Sequence, residues 1–258
     1  MTSPDTLDIT LTPPPGGQIL HQSDRATIIW GDCRDPDVIA QVPLDYDLLC
    51  TDPPYGVGWQ SSRGKNFAKI EGDDGATDWP GVLRLWARRL RNSRHVYVFG
   101  YSSDELTEPL GLGPTAEIIW DKRAIGMGNL SMPWGPGHEV ITFGVSNVNP
   151  KHGGKARQGG LTARMRQGSV IRVPRKNATA VTRHPTEKPW PLLAQLIESS
   201  TMRGDLVVDP CAGSGSTGVA AVLEGRRCFL VEVDRQYAEL AVQRVQAAER
   251  LARQMEAS

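Results

Sequence analysis

Asp209-Pro210-Cys211-Ala212-Gly213-Ser214-Gly215-Ser216-Thr217-Gly218 decides the fold. It follows a short apolar run at 206–209 and opens a stretch of helical character at 215–224. Gly213, Gly215 and Gly218 satisfy G-x-G-x-x-G, and Glu232 closes the next apolar run, at 228–232. Glycines at these positions let the backbone approach a ligand, and an acid at the end of the following strand can accept from both ribose hydroxyls. The unit is a β-turn-α-β built for a nucleoside cofactor, either a nicotinamide dinucleotide or S-adenosylmethionine. The bland alternative is a glycine turn needed only for tight packing of strand on helix. A G-x-x-x-x-G-K-[ST] loop is absent, which argues against a P-loop site.

Outward from this unit the chain keeps an α/β order. Apolar runs at 26–30 and 46–50 end in Gly31-Asp32 and Thr51-Asp52-Pro53-Pro54, as buried strands feeding loops do. Trp79, Val82, Leu83, Trp86 and Leu90 share one face of a helix predicted over 78–91. Strands are predicted at 95–99, 117–120 and 139–145, and helices at 189–202 and 235–255, the last with a core-packing face. Residues 1–17, with Pro13-Pro14-Pro15-Gly16-Gly17, read as a flexible leader, and 18–258 as a single domain.

Composition narrows the class. The 258 residues are long enough for one α/β domain, and 29 basic against 29 acidic residues give no overall attraction to membranes or polyanions. Twenty-seven glycines and 19 prolines mean many turns, but a hydrophobic share of 39% is too high for a disordered chain. Cys33, Cys50, Cys211 and Cys228 form no C-x-x-C pair, so neither a zinc ribbon nor a disulfide framework is expected. A reduced cytoplasm fits. With no H-E-x-x-H grouping, signal segment or long apolar span, no metal, export or membrane is expected. One segment departs from neutrality: 146–184 carries nine Lys and Arg residues and no acid. It reads either as a solvated loop or as a surface for phosphates and base edges.

Thr51-Asp52-Pro53-Pro54-Tyr55-Gly56 lies at the carboxyl end of a predicted strand, where open α/β sheets bind ligands. Its prolines fix φ near −65° and remove two amide donors, so the carbonyls stand as rigid acceptors. An acid, fixed acceptors and an aromatic ring suit an aromatic amine. Taken alone, the turn is equally a proline-rich bend with a capping Asp.

Together the two motifs resemble the amino-methylating DNA methyltransferases, in the permuted order that puts D-P-P-Y before the S-adenosylmethionine loop. The resemblance runs from Ile28 to Val245 and includes Gly31-Asp32-Cys33, Trp120-Asp121-Lys122, His138-Glu139 and His184-Pro185-Thr186-Glu187-Lys188-Pro189. Cys211 departs from it, standing where the family usually has Phe. The resemblance implies a Rossmann-like mixed sheet of seven strands with helices on both faces. It implies that Asp52, Pro53, Pro54 and Tyr55 hold the target base. It also implies that Asp32, Cys33, Thr186, Lys188, Asp209, Cys211, Ala212, Gly213, Gly215 and Glu232 bind S-adenosylmethionine.

The implied reaction moves a methyl group from S-adenosylmethionine to the exocyclic N6 of a flipped adenine in double-stranded DNA. Asp52 favours adenine over cytosine N4, the alternative with the same chemistry; a DNA-binding regulator with a decayed site is a third reading, opposed by the intact loops. The basic segment 146–184 takes the place of the target-recognition insertion, with Arg172, Arg175 and Lys176 expected on DNA. The resemblance leaves open both a restriction endonuclease partner and a homodimer.

Overall fold

A computed structural model of the chain describes residues 11–54, 75–125, 131, 133–147, 167–175 and 187–257. Tyr55, Lys176 and Thr186 lie outside the described residues, as does most of 146–184.

Two-sided burial creates the central strands. In β2 (Ala26–Trp30) and β3 (Tyr46–Thr51), neighbouring residues such as Ile28 and Ile29, or Leu48 and Leu49, point to opposite faces and are all fully buried. One face packs on α4 (Trp190–Ser200), α5 (Ser216–Leu223) and α6 (Arg235–Ala257). The other packs on α1 (Pro36–Gln41), α2 (Trp79–Ala87) and α3 (Ser103–Leu106). Helix starts follow local chemistry: Asp35 and Asp78 accept from the amides of Asp37 and Gly81, and Pro36 and Pro80 fill first-turn positions that need no donor.

The remaining strands are β1 (Gln18–Gln22), β4 (Leu90–Phe99), β5 (Leu112–Asp121), β6 (His138–Ser146), β7 (Val170–Arg172), β8 (Leu206–Asp209) and β9 (Arg227–Glu232). They form one sheet in the order β1-β2-β9-β8-β3-β4-β6-β5-β7. Seven strands were expected and nine are found. The inner seven, β2 to β5 in that order, make the expected mixed sheet, and the short strands β1 and β7 add one edge each. Edge strands of three to five residues leave little alternating pattern in a sequence, and they cover backbone groups that β2 and β5 would otherwise expose.

The helix predicted over 78–91 also changes. It stops at Ala87, and Leu90 instead opens β4 opposite Tyr46 of β3. Ser93, with φ +61°, accompanies a register shift that brings His95 opposite Leu48. Sheet pairing overrides the helical spacing here. In the leader, the Gly16 amide donates to Asp35 Oδ2 and the Gly17 amide to the Pro14 carbonyl, tying this turn to the start of α1.

Candidate active site at the carboxyl edge of the sheet

From β8 the chain leads through α5 to β9 on one side, and from β3 through α2 to β4 on the other. The sheet therefore reverses its winding between β8 and β3, and the crevice outside such a switch point is where open α/β sheets bind ligands. Asp32 and Cys33 follow β2, Glu232 ends β9, Asp209 ends β8 and Asp52 follows β3. The sequence motifs thus converge on one edge of four neighbouring strands.

The acidic turn is held from below. Pro53 is buried, and the Pro54 carbonyl accepts from the Tyr101 hydroxyl at 2.7 Å. Tyr101 is itself fixed, its carbonyl accepting from Thr142 Oγ1 at 2.6 Å. The Asp52 carboxylate is half-buried, and its Oδ2 lies 2.6 Å from Lys188 Nζ. That lysine also reaches Glu139 Oε1 at 2.8 Å, while Lys122 holds Glu139 Oε2 at 2.9 Å. Burial alone would push the Glu139 carboxyl up, but Lys188 and Lys122 outweigh it and hold the group at about 2.

The glycine loop closes around an acid of its own sheet. The Gly213 amide donates to Glu232 Oε2 at 2.7 Å, the Asp234 amide to Oε1 at 2.8 Å, and the Ala212 amide to the Val231 carbonyl. Gly213 and Gly215 have φ +51° and +79°. Asp209 braces the loop by accepting from the Cys211 amide and from Thr217 Oγ1. Arg244 of α6 donates to Ser214 Oγ at 2.6 Å and to Glu187 Oε1 at 2.7 Å, joining this loop to the segment before α4. On the β2 side, the Trp86 indole donates to the Cys33 carbonyl, and Cys33 Sγ stands 3.9 Å from Cys211 Sγ.

Two buried carboxyls titrate high. Burial raises Glu232 to about 7 against the pull of the Asp234 and Gly213 amides, with the Asp234 and Asp209 charges adding to the rise. Burial likewise raises Asp209 to about 6, opposed by the Thr217 hydroxyl and the Cys211 amide. A raised carboxyl means that the folded state holds its proton more tightly than the unfolded chain, so stability falls as pH rises between the two values. The free protein should lose on the order of 3 kcal/mol between pH of about 4.5 and 7 on account of Glu232. Urea unfolding across this range should show the fall, and Glu232→Gln should reduce it to the part that Asp209 contributes. A variant with an unchanged slope would place the titration elsewhere.

The structure places Asp52, Pro53, Pro54, Asp32, Cys33, Lys188, Asp209, Cys211, Ala212, Gly213, Gly215 and Glu232 on this edge. Asp32 is engaged by Arg34, which pairs with both of its oxygens. Lys188, expected beside the cofactor, contacts Asp52. Arg172 and Arg175 are exposed at the same edge, Arg172 lying 3.6 Å from Asp121. Glu139, Tyr101 and Arg244 had no assigned role in the sequence. An acid opening an apolar strand, and an arginine beside the buried face of α6, were the available signals. Among the described residues no three His, Cys, Asp or Glu side chains gather as a metal site, and no helix is long and apolar enough to cross a membrane.

A glycine loop and an acid-proline-proline turn on adjacent strands at a switch point mark the class of α/β enzyme that sets a nucleoside-bearing ligand beside a second reactant. Comparison with known proteins narrows this. A family model described as DNA methylase, N6_N4_Mtase, matches residues 46–243. The DNA adenine methyltransferase YhdJ of Escherichia coli K12 is 37% identical over 257 residues, covering 88% of this chain and 84% of that protein. The type II methyltransferase M2.DpnII of Streptococcus pneumoniae is 27% identical over 231 residues, covering 80% and 84%. Among solved structures, the PvuII cytosine-N4-specific DNA methyltransferase superposes with a TM-score of 0.65 at 13% identity, covering 93% of this chain and 96% of that one. The M1.HpyAVI-SAM complex gives 0.54 at 20% identity, covering 78% and 89%. At such identities these two share the fold. The chain belongs to the amino-methylating DNA methylase family.

Proposed function

We propose that the protein transfers a methyl group from S-adenosylmethionine to N6 of adenine in double-stranded DNA. The observation that carries this reading is the placement of Asp52, at the end of β3, beside the glycine loop that follows β8. The donor set fits S-adenosylmethionine. Glu232 accepts one amide on each oxygen, and a carboxylate has lone pairs beyond these for ribose hydroxyls. When bound, S-adenosylmethionine supplies an electrophilic methyl group.

The residues of the chain then divide the work. An adenine amine is a poor nucleophile because its lone pair is delocalised into the ring. Asp52 and the Pro53 carbonyl accept hydrogen bonds from its two N–H groups, which favours a pyramidal nitrogen whose lone pair is directed at the methyl group. The nitrogen sheds one proton as the N–C bond forms and the electron pair of the broken S–C bond stays with sulfur, and Asp52 is the nearest acceptor of that proton. The Tyr101 hydroxyl, on the Pro54 carbonyl, keeps this turn rigid. Tyr55 stacks on the base, which must be flipped from the duplex at a cost of a few kcal/mol. Cys33, Cys211, Ala212, Gly213, Gly215 and Thr186 line the cofactor.

Incubation with labelled S-adenosylmethionine and unmodified duplex, followed by mass spectrometry of the nucleosides, should give N6-methyladenine. N4-methylcytosine would overturn the choice of base.

Arg172 and Arg175, at the end of β7, contact DNA together with Lys176, within a recognition insertion spanning 146–184 of one domain at 18–258. Neutralising a side chain that touches a phosphate should reduce the slope of log K against log salt by about 0.9. Salt titrations of R172A and R175A on specific and random duplexes read this. Wild-type slopes and affinities in both would remove these arginines from the interface. A homodimer and a cognate restriction endonuclease rest on the resemblance alone, and a cytoplasmic location on the four cysteines that form no C-x-x-C pair.

A further inference from the structure

We infer that Lys188 is a positioning residue for Asp52, held in place by Glu139 and Lys122, and that it acts on the base amine's acceptor and not on the cofactor. This deepens the methyltransferase reading above and rests on it. The four side chains alternate in sign, Asp52–Lys188–Glu139–Lys122, with contacts of 2.6, 2.8 and 2.9 Å. They come from four places in the chain: the turn after β3, the segment before α4, the start of β6 and the residue after β5.

The ammonium of Lys188 is buried, with a side chain 9% exposed, and lies 5.0 Å from the centroid of the Phe99 ring. Burying such a charge costs several kcal/mol unless it is paired. Burial pulls the lysine down, yet Asp52 and Glu139 together raise it above the ordinary value, so it stays charged. Glu139 is held ionised in turn by Lys188 and Lys122. Lys188 is therefore fixed from its far side, and Asp52 Oδ2 has a stationary partner.

Two consequences follow for the reaction. Asp52 keeps one orientation toward the base, which matters because a displacement near 1 Å can cost about 10²-fold in rate. It also stays an acceptor. Without the lysine, Asp52 would be left with the charge of Glu139, which shares that ammonium, and with that of Asp209, the Cys50 thiol lying nearby and Lys122 beyond Glu139. Like charges favour protonation, and a protonated Asp52 donates where it must accept. Position in the chain adds a second link. Glu187, the preceding residue, is held by Arg244, which also grips Ser214 of the glycine loop. One dipeptide thus braces both halves of the site.

The test compares Lys188→Met, Lys188→Arg and the double variant Lys188→Met/Glu139→Gln, reading kcat at saturating cofactor, its pH profile, and the Kd for S-adenosylmethionine by calorimetry. Lys188→Met should lower kcat about 10²-fold, leave Kd unchanged and move the acidic limb of the profile to higher pH. Lys188→Arg should recover part of kcat. The double variant, which removes the facing charge, should move the limb back toward wild type. If Lys188→Met weakens cofactor binding but keeps kcat, Lys188 is a cofactor ligand and the inference fails. If kcat falls while the pH profile stays put in both Met variants, the role is merely structural and the inference fails as well. Should Lys188→Met not fold, Glu139→Gln reads the same split, and an unchanged kcat there overturns the proposal. A wild type that methylates cytosine overturns only the choice of base, since the same variants still report on Asp52. A wild type that transfers no methyl group overturns both.

Discussion

Asp52→Ala is expected to abolish methyl transfer while S-adenosylmethionine still binds at wild-type strength. The carboxylate stands after β3, whereas the glycine loop and Glu232 belong to β8 and β9, so the substitution removes an acceptor for the amine without touching the cofactor cradle. The protein should fold, because Lys188 keeps Glu139 as its partner when Asp52 is gone. A positioned proton acceptor is worth about 10² to 10⁴-fold in rate, and the lost orientation of the amine adds to this. Calorimetry for binding and a radiolabel assay for turnover separate the two. Parallel loss of binding and turnover in a folded variant would show that Asp52 serves the cofactor, and the division of roles would be wrong.

Gly215→Val should be the most damaging substitution for stability in the glycine loop. Gly215 has φ +79°, a conformation that costs a residue with a Cβ about 1 to 2 kcal/mol and a branched one more. Space is also missing: a Cβ there would stand 2.8 Å from Ala241 Cβ and 2.9 Å from its Cα, against the backbone of α6. Overpacking of this kind costs about 1 to 3 kcal/mol. The combined loss, roughly 2 to 5 kcal/mol, is a large share of a typical domain's stability. Gly168→Ala is the matched control, since among the described residues nothing lies within 4 Å of its Cβ position. Urea unfolding of both variants should show a large drop for the first and none for the second. A Gly215→Val protein as stable as wild type would mean that α5 and α6 can separate without cost.

The strands whose bounds can be read most closely from the sequence are buried on both faces. β2 and β8 have the bounds expected, because a run of apolar residues closed by Gly, Asp or Pro has few other uses. β1 and β7 were invisible for the opposite reason. Each is short, exposed and defined by its neighbour: β7 is held by three paired positions on β5 and by the Trp120 indole on the Val173 carbonyl. The start of β4 was misread because the apolar spacing through Leu90 is helical, and only pairing with β3 settles it. The site divides in the same way. Asp52 and the glycine loop announce themselves through local turn chemistry. The bond from Lys188 to Glu139 depends on a sheet register that brings β6 beside β4, and no spacing along the chain encodes it.

The position of β8 bears on how the molecule is born. Its first residue, Leu206, bonds through its amide to Asp47, 159 residues earlier in the chain. During synthesis the β1-β2 hairpin and the β3-β4-β6-β5 block emerge as separate pieces, each with an open edge where β9 or β8 will later insert. Such edges are templates for mispairing until they are filled. Both reactant sites face each other only after the last two strands have slotted between the earlier ones. A nascent chain stopped before residue 206 therefore carries the complete D-P-P-Y sequence yet has no active site, and its two sheet edges stay open to mispairing.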